Sequence, residues 1–218
     1  AAMAPIAHQL RVGSSAGEPL NPEVIRWAER VLHCPLADHY GQTEVAMMIN
    51  NHHALKHEIK PGAAGLPLPG LTMAILDDDL KEVPRNTPGV LAVNIPKSPL
   101  YTFGGYWKAE SPNVRGDWYI TGDTMQQDDD GHFSFVGRND DIITSAGYRI
   151  GPFDVESVVM EHPAVAEVAV VGKPDPQRTE IVKAFIVLKA GVDGTEALKE
   201  EIQQMVRKRL STHSYPRE

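Results

Sequence analysis

Cysteine is nearly absent: Cys34 stands alone among 218 residues. One thiol excludes an internal disulfide framework and fits a reducing compartment. Positive charge is also in deficit. The 21 Lys and Arg face 29 Asp and Glu, a formal net charge of −8, so composition gives no support to a nucleic-acid surface. No apolar run approaches the ~20 residues that span a bilayer. The opening AAMAPIAHQL lacks the charged start and long apolar core of a secretory signal. Together these features predict a cytoplasmic protein. Several catalytic signatures are missing too. There is no Gly-x-Ser-x-Gly elbow and no Gly-rich phosphate loop ending in Gly-Lys-Ser/Thr. The His residues, including His52-His53, show no metal-ligand spacing on one helix face and no Cys partner.

What is present reads as an ordinary globular chain, 42% hydrophobic and 23% charged, long enough for one or two domains. Asn21-Pro22-Glu23 marks a helix start: an Asn cap, Pro at the first helical position, an acid in the first turn. Val24, Ile25, Ala28, Val31 and Leu32 follow at helical spacing, and Pro35 ends the pattern. A short segment, Leu36 to Tyr40, then leads to a turn at Gly41. From Gly62 to Val136 short strand-like runs (Thr72–Leu76, Val90–Ile95, Trp118–Ile120, Phe133–Val136) alternate with turns at Asp77–Asp79 and Asp128–Gly131. Short strands without a long helical pattern predict a small β-barrel or sandwich. Gly137–Asp141 reads as a linker. Beyond it the texture is mixed: a helix opened by Pro152, buried strands at Val165–Val171 and Ile181–Leu188, and a second amphipathic helix through Leu198, Ile202 and Val206.

The stretch WYITGDTMQQDDDGHFSFVGRNDDIITSAGYRIGPFDVE, from Trp118 to Glu156, carries the most chemistry. Asp123 ends one strand run and Arg138 the next. That arrangement can bring a carboxylate and a guanidinium to one sheet edge, where the carboxylate accepts from vicinal hydroxyls and the Arg adds donors. Tyr40-Gly41-Gln42-Thr43-Glu44 gathers a ring, a flexible residue, a hydroxyl and a carboxylate. Taken alone it reads either as a helix start capped by Thr43, the commoner case, or as a nucleotide site. In the second reading Tyr40 stacks on a base, Thr43 donates to phosphate and Glu44 reaches Mg²⁺. Val45 to Met48 can line a pocket or form a buried helix or strand. Gly17-Glu18-Pro19 reads as a plain loop into the first helix. Asp128–Asp130 lacks the distal Glu of a calcium loop and reads as a solvated turn.

The order of the motifs is more specific than any one of them. AGEPLNPE, YGQTE, GAAGLPLPG, WYITGD, GRNDDIITSAGYRIGPFDVE and VVGKPDP in series resemble the second half of the AMP-forming adenylate synthetases. That superfamily holds acyl-CoA synthetases, peptide-synthetase adenylation domains and luciferases. The resemblance runs from about Leu10 to the last residue. It implies a mixed α+β fold: the end of a large domain with a small distorted β-barrel subdomain (1–137), a hinge (138–141) and a small α+β domain (142–218).

The same resemblance implies roles. Gly17, Glu18 and Pro19 would line adenine and Tyr40 would stack on it, with Gly41 beside them. Thr43 would contact the α-phosphate and Glu44 the Mg²⁺. Asp123 would bind both ribose hydroxyls, assisted by Arg138. Asp140 would be the hinge. Gly147 would line a pantetheine tunnel with Tyr148 and Arg149 next to it, Arg149 counting with Thr43 and Glu44 among the catalytic candidates. The implied reaction has two steps: a carboxylate attacks the α-phosphorus of ATP and releases pyrophosphate, then the thiol of coenzyme A displaces AMP. A carrier-protein adenylation domain and a non-catalytic nucleotide-binding module are the alternatives. Acetate-specific members resemble WWQTE where this chain has Tyr40-Gly41-Gln42, so the resemblance favours a medium-chain or aryl acid. The superfamily's Ser/Thr/Gly-rich phosphate loop belongs upstream of Leu10, and its adenylation Lys beyond Glu218. The implied chain is therefore a fragment, inactive in adenylation by itself.

Overall fold

The structure is a computed structural model that describes residues 9–218. The chain divides into two units, Ala1–Phe135 and Val136–Glu218.

In the first unit, β1 (Gly13–Ser15) and β2 (Leu36–Gln42) pair in parallel, joined by helix α1 (Pro22–Leu32). The helix begins as its sequence dictates: the Asn21 side chain accepts from the Glu23 amide at 2.8 Å, with Pro22 in the first turn. It ends at Leu32, before Pro35, because His33 takes a left-handed conformation. Ile25 and Ala28 face inward. Strand β2 runs on through Gly41 to Gln42, where a turn would otherwise have been expected. A turn at residues 43–45 then leads to β3 (Ala46–Asn50), which pairs antiparallel with β2, and β3 pairs with β4 (Leu66–Pro67). Thr43 is thus a hairpin-turn residue, not a helix cap, and Val45–Met48 lead into and enter a strand.

The five-stranded second sheet follows the order β5 (Met73–Leu76), β6 (Gly89–Asn94), β8 (Trp118–Gln127), β7 (Val114–Arg115), with β9 (Phe133–Arg138) also on β8. All four strand-like runs are strands, but β8 is far longer than Trp118–Ile120. The pairings leave this sheet open among the described residues, so the expected barrel is an unclosed sheet. Its face toward the first sheet supplies Leu91, Val93, Tyr119, Met125 and Phe133 to a core shared with Met48 and Ile49. Acidic turns behave as their composition suggests. Asp128 accepts from the Asp130 and His132 amides, and Lys60 bridges Asp128 and Asp130.

The second unit is a sheet in the order β11 (Tyr148–Ile150), β10 (Ile143–Ser145), β13 (Thr179–Leu188), β12 (Val165–Asp175). Helices α2 (Pro152–Met160) and α3 (Glu196–Arg209) supply Val155, Val158, Val159, Ile202 and Val206 to its core. Thr195 caps α3 by accepting from the Leu198 amide at 3.2 Å, and Arg207, Lys208 and Arg209 close it in accord with the helix dipole. Arg217 and Glu218 hydrogen-bond to Val182 and Ala184 of β13. No helix among the described residues is long and apolar enough to cross a membrane.

Candidate functional site

The chemistry-bearing residues of the first unit gather where β2 meets β8. In open α/β sheets, ligands collect outside the carboxyl ends of parallel strands. The loop 16–19, with Gly17, Glu18 and Pro19, leaves the carboxyl end of β1, and the turn with Thr43 and Glu44 leaves the carboxyl end of β2.

Thr121-Gly122-Asp123 lies inside β8, not at its end, and breaks the ladder. Val90 pairs with Thr124 and Ala92 with Ile120, so three residues of β8 oppose Leu91 alone. Gly122 accommodates the bulge with φ 78°. Thr121 fixes it, donating from Oγ1 to the Leu91 carbonyl at 2.9 Å and accepting from the Asp123 amide at 3.1 Å. Bulges of this kind re-aim side chains beside active sites. Here the bulge presents Asp123, only 7% exposed, to β2.

Tyr40 and Gln42, two apart on β2, receive that carboxylate. The Tyr40 hydroxyl donates to Asp123 Oδ2 at 2.5 Å, and Gln42 Nε2 donates to the same oxygen at 2.9 Å. The other Gln42 donor reaches the Thr121 carbonyl at 3.0 Å, while Gln42 Oε1 accepts from the Tyr119 hydroxyl at 3.0 Å. All three Gln42 contacts agree on one amide orientation. Burial first, and then the Asp123 charge, push the Tyr40 phenol far above its ordinary value, so its hydroxyl stays a donor. Burial, with the Glu44 charge next, pushes Tyr119 up to about 12.

Gly41 sits between these two donors. A Cβ there would meet the Ala46 carbonyl oxygen at 2.3 Å and the Met47 Cα at 2.8 Å. The space beside Gly41 is therefore filled by β3, and the glycine answers a strand contact. Behind it, Asp38 is buried and accepts from the Leu20 amide at 3.2 Å and the His39 amide at 3.0 Å. Burial outweighs those two bonds and raises its carboxyl to about 6. Through Leu20, Asp38 ties β2 to the loop that carries Gly17–Pro19.

Glu44 is approached from another direction. The Tyr106 hydroxyl donates to Glu44 Oε1 at 2.6 Å. Glu44 and Thr43 offer hard oxygen donors, which suit Mg²⁺. No group of three His, Cys, Asp or Glu side chains among the described residues would hold a metal. An ion at Glu44 thus fits only as one shared with phosphate oxygens, the common mode for Mg²⁺.

The remaining candidates belong to the second unit. Arg138 ends β9 and donates to Asp140 at 3.1 Å, holding the Asp140 carboxyl below its usual range. Arg149, on β11, donates to Asn139 at 3.1 Å. Gly147 occupies the two-residue turn between β10 and β11 with Ala146, both at positive φ, as such hairpins require. Of these, Arg138, Asp140, Gly147 and Arg149 are candidates from sequence, and Asn139 and Ala146 are not. Nor are Gln42, Tyr119, Tyr106 and Asp38. Gln42 and Tyr119 lie within the motifs YGQTE and WYITGD already noted, whereas Tyr106 and Asp38 carry no local signal.

Residues 2–107 match the model of the AMP-binding enzyme family, and residues 154–218 match its C-terminal-domain model. The chain belongs to the AMP-binding enzyme family. It is 44% identical over 212 residues to an acetyl-coenzyme A synthetase of Bacillus subtilis, covering 96% of this chain and 37% of that protein. It is 45% identical over 209 residues to the mitochondrial acyl-coenzyme A synthetase ACSM3 of Rattus norvegicus, covering 93% of this chain and 36% of that one. The chain thus spans 36–37% of the length of these curated relatives. Among solved structures, a Brucella canis acyl-CoA synthetase shares 58% identity at a TM-score of 0.66, over 98% of this chain and 40% of that one. The anthranilate CoA ligase AuaEII, in complex with anthranoyl-AMP, shares 31% identity at a TM-score of 0.83, over 96% of this chain and 40% of that one.

Proposed function

We propose that this chain is part of an AMP-forming acyl-CoA synthetase and carries the nucleoside-binding half of its site. The observation behind this reading is the paired donation of Tyr40 and Gln42 to Asp123 Oδ2. Tyr40 and Gln42 orient the carboxylate, and a carboxylate is an acceptor group of the kind that the two hydroxyl donors of a ribose diol require. Tyr40 then presents its ring to the base. The loop of Gly17, Glu18 and Pro19, held through Leu20 by Asp38, lies against the base's edge.

Thr43 and Glu44 face the phosphates in this reading, Thr43 donating to an α-phosphate oxygen and Glu44 taking the Mg²⁺. Bound Mg²⁺ supplies charge neutralisation at the phosphates. Arg138, Arg149 and Gly147 are assigned to the second unit's part in the reaction, with Asp140 as its pivot and Gly147 beside coenzyme A. The reaction is a carboxylate attacking the α-phosphorus with loss of pyrophosphate, then a thiol attacking the acyl carbon with loss of AMP. Relatives named for acetate and 4-hydroxybutyrate, and structures named for anthranilate and benzoate, support a small carboxylic acid as substrate. The part of this reaction assigned to the residues described above is nucleoside binding.

Calorimetric titration with AMP tests the reading. Saturable binding is expected, and Asp123→Ala should abolish it. Absence of binding by the unsubstituted chain, or binding indifferent to Asp123, would overturn the assignment.

A further inference from the structure

Residues 95–113 join β6 to β7 without helix or strand of their own. Connections longer than about 12–15 residues are uncommon in compact domains and are usually functional or disordered. This one is built on aromatic contacts. Tyr101 and Phe103 rest on Tyr119 with ring centroids 5.9 and 5.7 Å apart, and Tyr106 meets Phe103 edge-on at 5.1 Å. The Tyr106 amide donates to Ser111 Oγ at 3.0 Å. These contacts deliver an exposed tyrosine hydroxyl to Glu44 Oε1 at 2.6 Å across 62 residues of sequence.

We infer that Tyr106 is a positioning residue for Glu44, orienting its carboxylate for the metal that accompanies the nucleotide's phosphates. This rests on the nucleotide reading of the site. A carboxylate has two oxygens and about four lone-pair positions, so one hydroxyl on Oε1 is compatible with a metal on Oε2. Carboxylates that bind metals are themselves held by hydrogen bonds, and removing such a partner typically costs 10–100-fold in metal affinity. The same aromatic loop touches the other end of the site. Tyr119, on which Tyr101 and Phe103 rest, donates to Gln42, and Gln42 donates to Asp123. One loop therefore braces both the diol carboxylate and the metal carboxylate, by separate side chains.

The test compares Tyr106→Phe with the unsubstituted chain by calorimetric titration. AMP is titrated in EDTA, and ATP is titrated with Mg²⁺ and with EDTA. Tyr106→Phe keeps the ring on Phe103 and removes only the hydroxyl. Its AMP affinity in EDTA should stay within about twofold of the original. The gain in ATP affinity that Mg²⁺ provides should fall by about tenfold or more. Adding Tyr106→Phe to Glu44→Gln should cost nothing further. An unchanged Mg²⁺ gain in Tyr106→Phe would overturn the inference. So would an equal loss of AMP and ATP affinity with and without metal, which marks a purely structural strap. If the unsubstituted chain binds neither nucleotide, the nucleotide reading itself fails, and this inference with it. If it binds both without any gain from Mg²⁺, the metal assignment and this inference fail while the nucleotide reading stands.

Discussion

Tyr40 and Asp123, 83 residues apart in sequence, share a 2.5 Å hydrogen bond in which the phenol donates to the carboxylate. This contact joins the parallel strand pair of the first sheet to the bulge of the second. It places the ring of one residue beside the carboxylate proposed to hold ribose.

Removing that donor should weaken nucleoside binding without disturbing the ring. A hydrogen bond to a charged group contributes about 1.5–3 kcal/mol, and Gln42 remains as a second donor. Tyr40→Phe is expected to lower AMP affinity by about tenfold, at the lower end of that range. Titration calorimetry checks it, and an unchanged affinity would argue that Tyr40 only packs.

Gln42→Glu should be far more damaging than its size suggests. It removes both N–H donors and sets a second carboxylate against Asp123. An uncompensated buried charge costs about 3–5 kcal/mol, and half-burial of Gln42 puts the expected loss near 3. All three tryptophans, Trp27, Trp107 and Trp118, lie in the first unit, so indole fluorescence in urea reads that unit alone. The deficit should shrink between pH 7 and pH 5, as the crowded pair takes up a proton.

Asp38 gives a pH dependence of determined sign. Its folded value, about 6, lies above the ordinary 3.8. The contribution it makes is present below about pH 3.8 and is lost as pH rises through about 6. Asp38→Asn cannot titrate. Whatever its stability relative to the original chain at pH 4, that difference should move in the variant's favour up to pH 7. Urea unfolding at four pH values measures it; a flat difference would contradict the burial argument. His39, lowered chiefly by burial and then by His53, changes both proteins alike and cancels.

Two glycines separate crowding from backbone strain. Gly41→Ala drives a Cβ onto the β3 backbone and should cost about 3 kcal/mol or more, since the obstacle is not a side chain that can rotate away. Gly122→Ala meets no atom within 4 Å and carries only its positive φ, for about 1–2 kcal/mol. The milder change sits at the bulge that aims Asp123. It should therefore cost more in AMP affinity than its stability loss suggests, seen by pairing unfolding with titration.

Local physics made much of this protein legible from sequence. Asn21 and Pro22 start α1 because cap and ring geometry act within a few residues. Pro152 opens α2, and the Val- and Ile-rich runs become strands for the same local reason. The motif series points to the family, and Asp123, Tyr40 and Glu44 stand out by residue type within it. Tertiary structure decided the rest. Strands β1 and β10 are three residues each, too short for periodicity to register, and exist through their neighbours. Thr43 resembles a helix cap by composition but sits in a hairpin turn, because Ala46–Asn50 pair back onto β2. Gln42, Tyr119 and Tyr106 matter through partners 62 to 81 residues away, and no pattern along a chain encodes such distances. The sequence by itself determined which groups are available. Only the bulge at Gly122 and the loop of Tyr101–Tyr106 decided which of them meet, because register and long-range packing fix where a side chain ends.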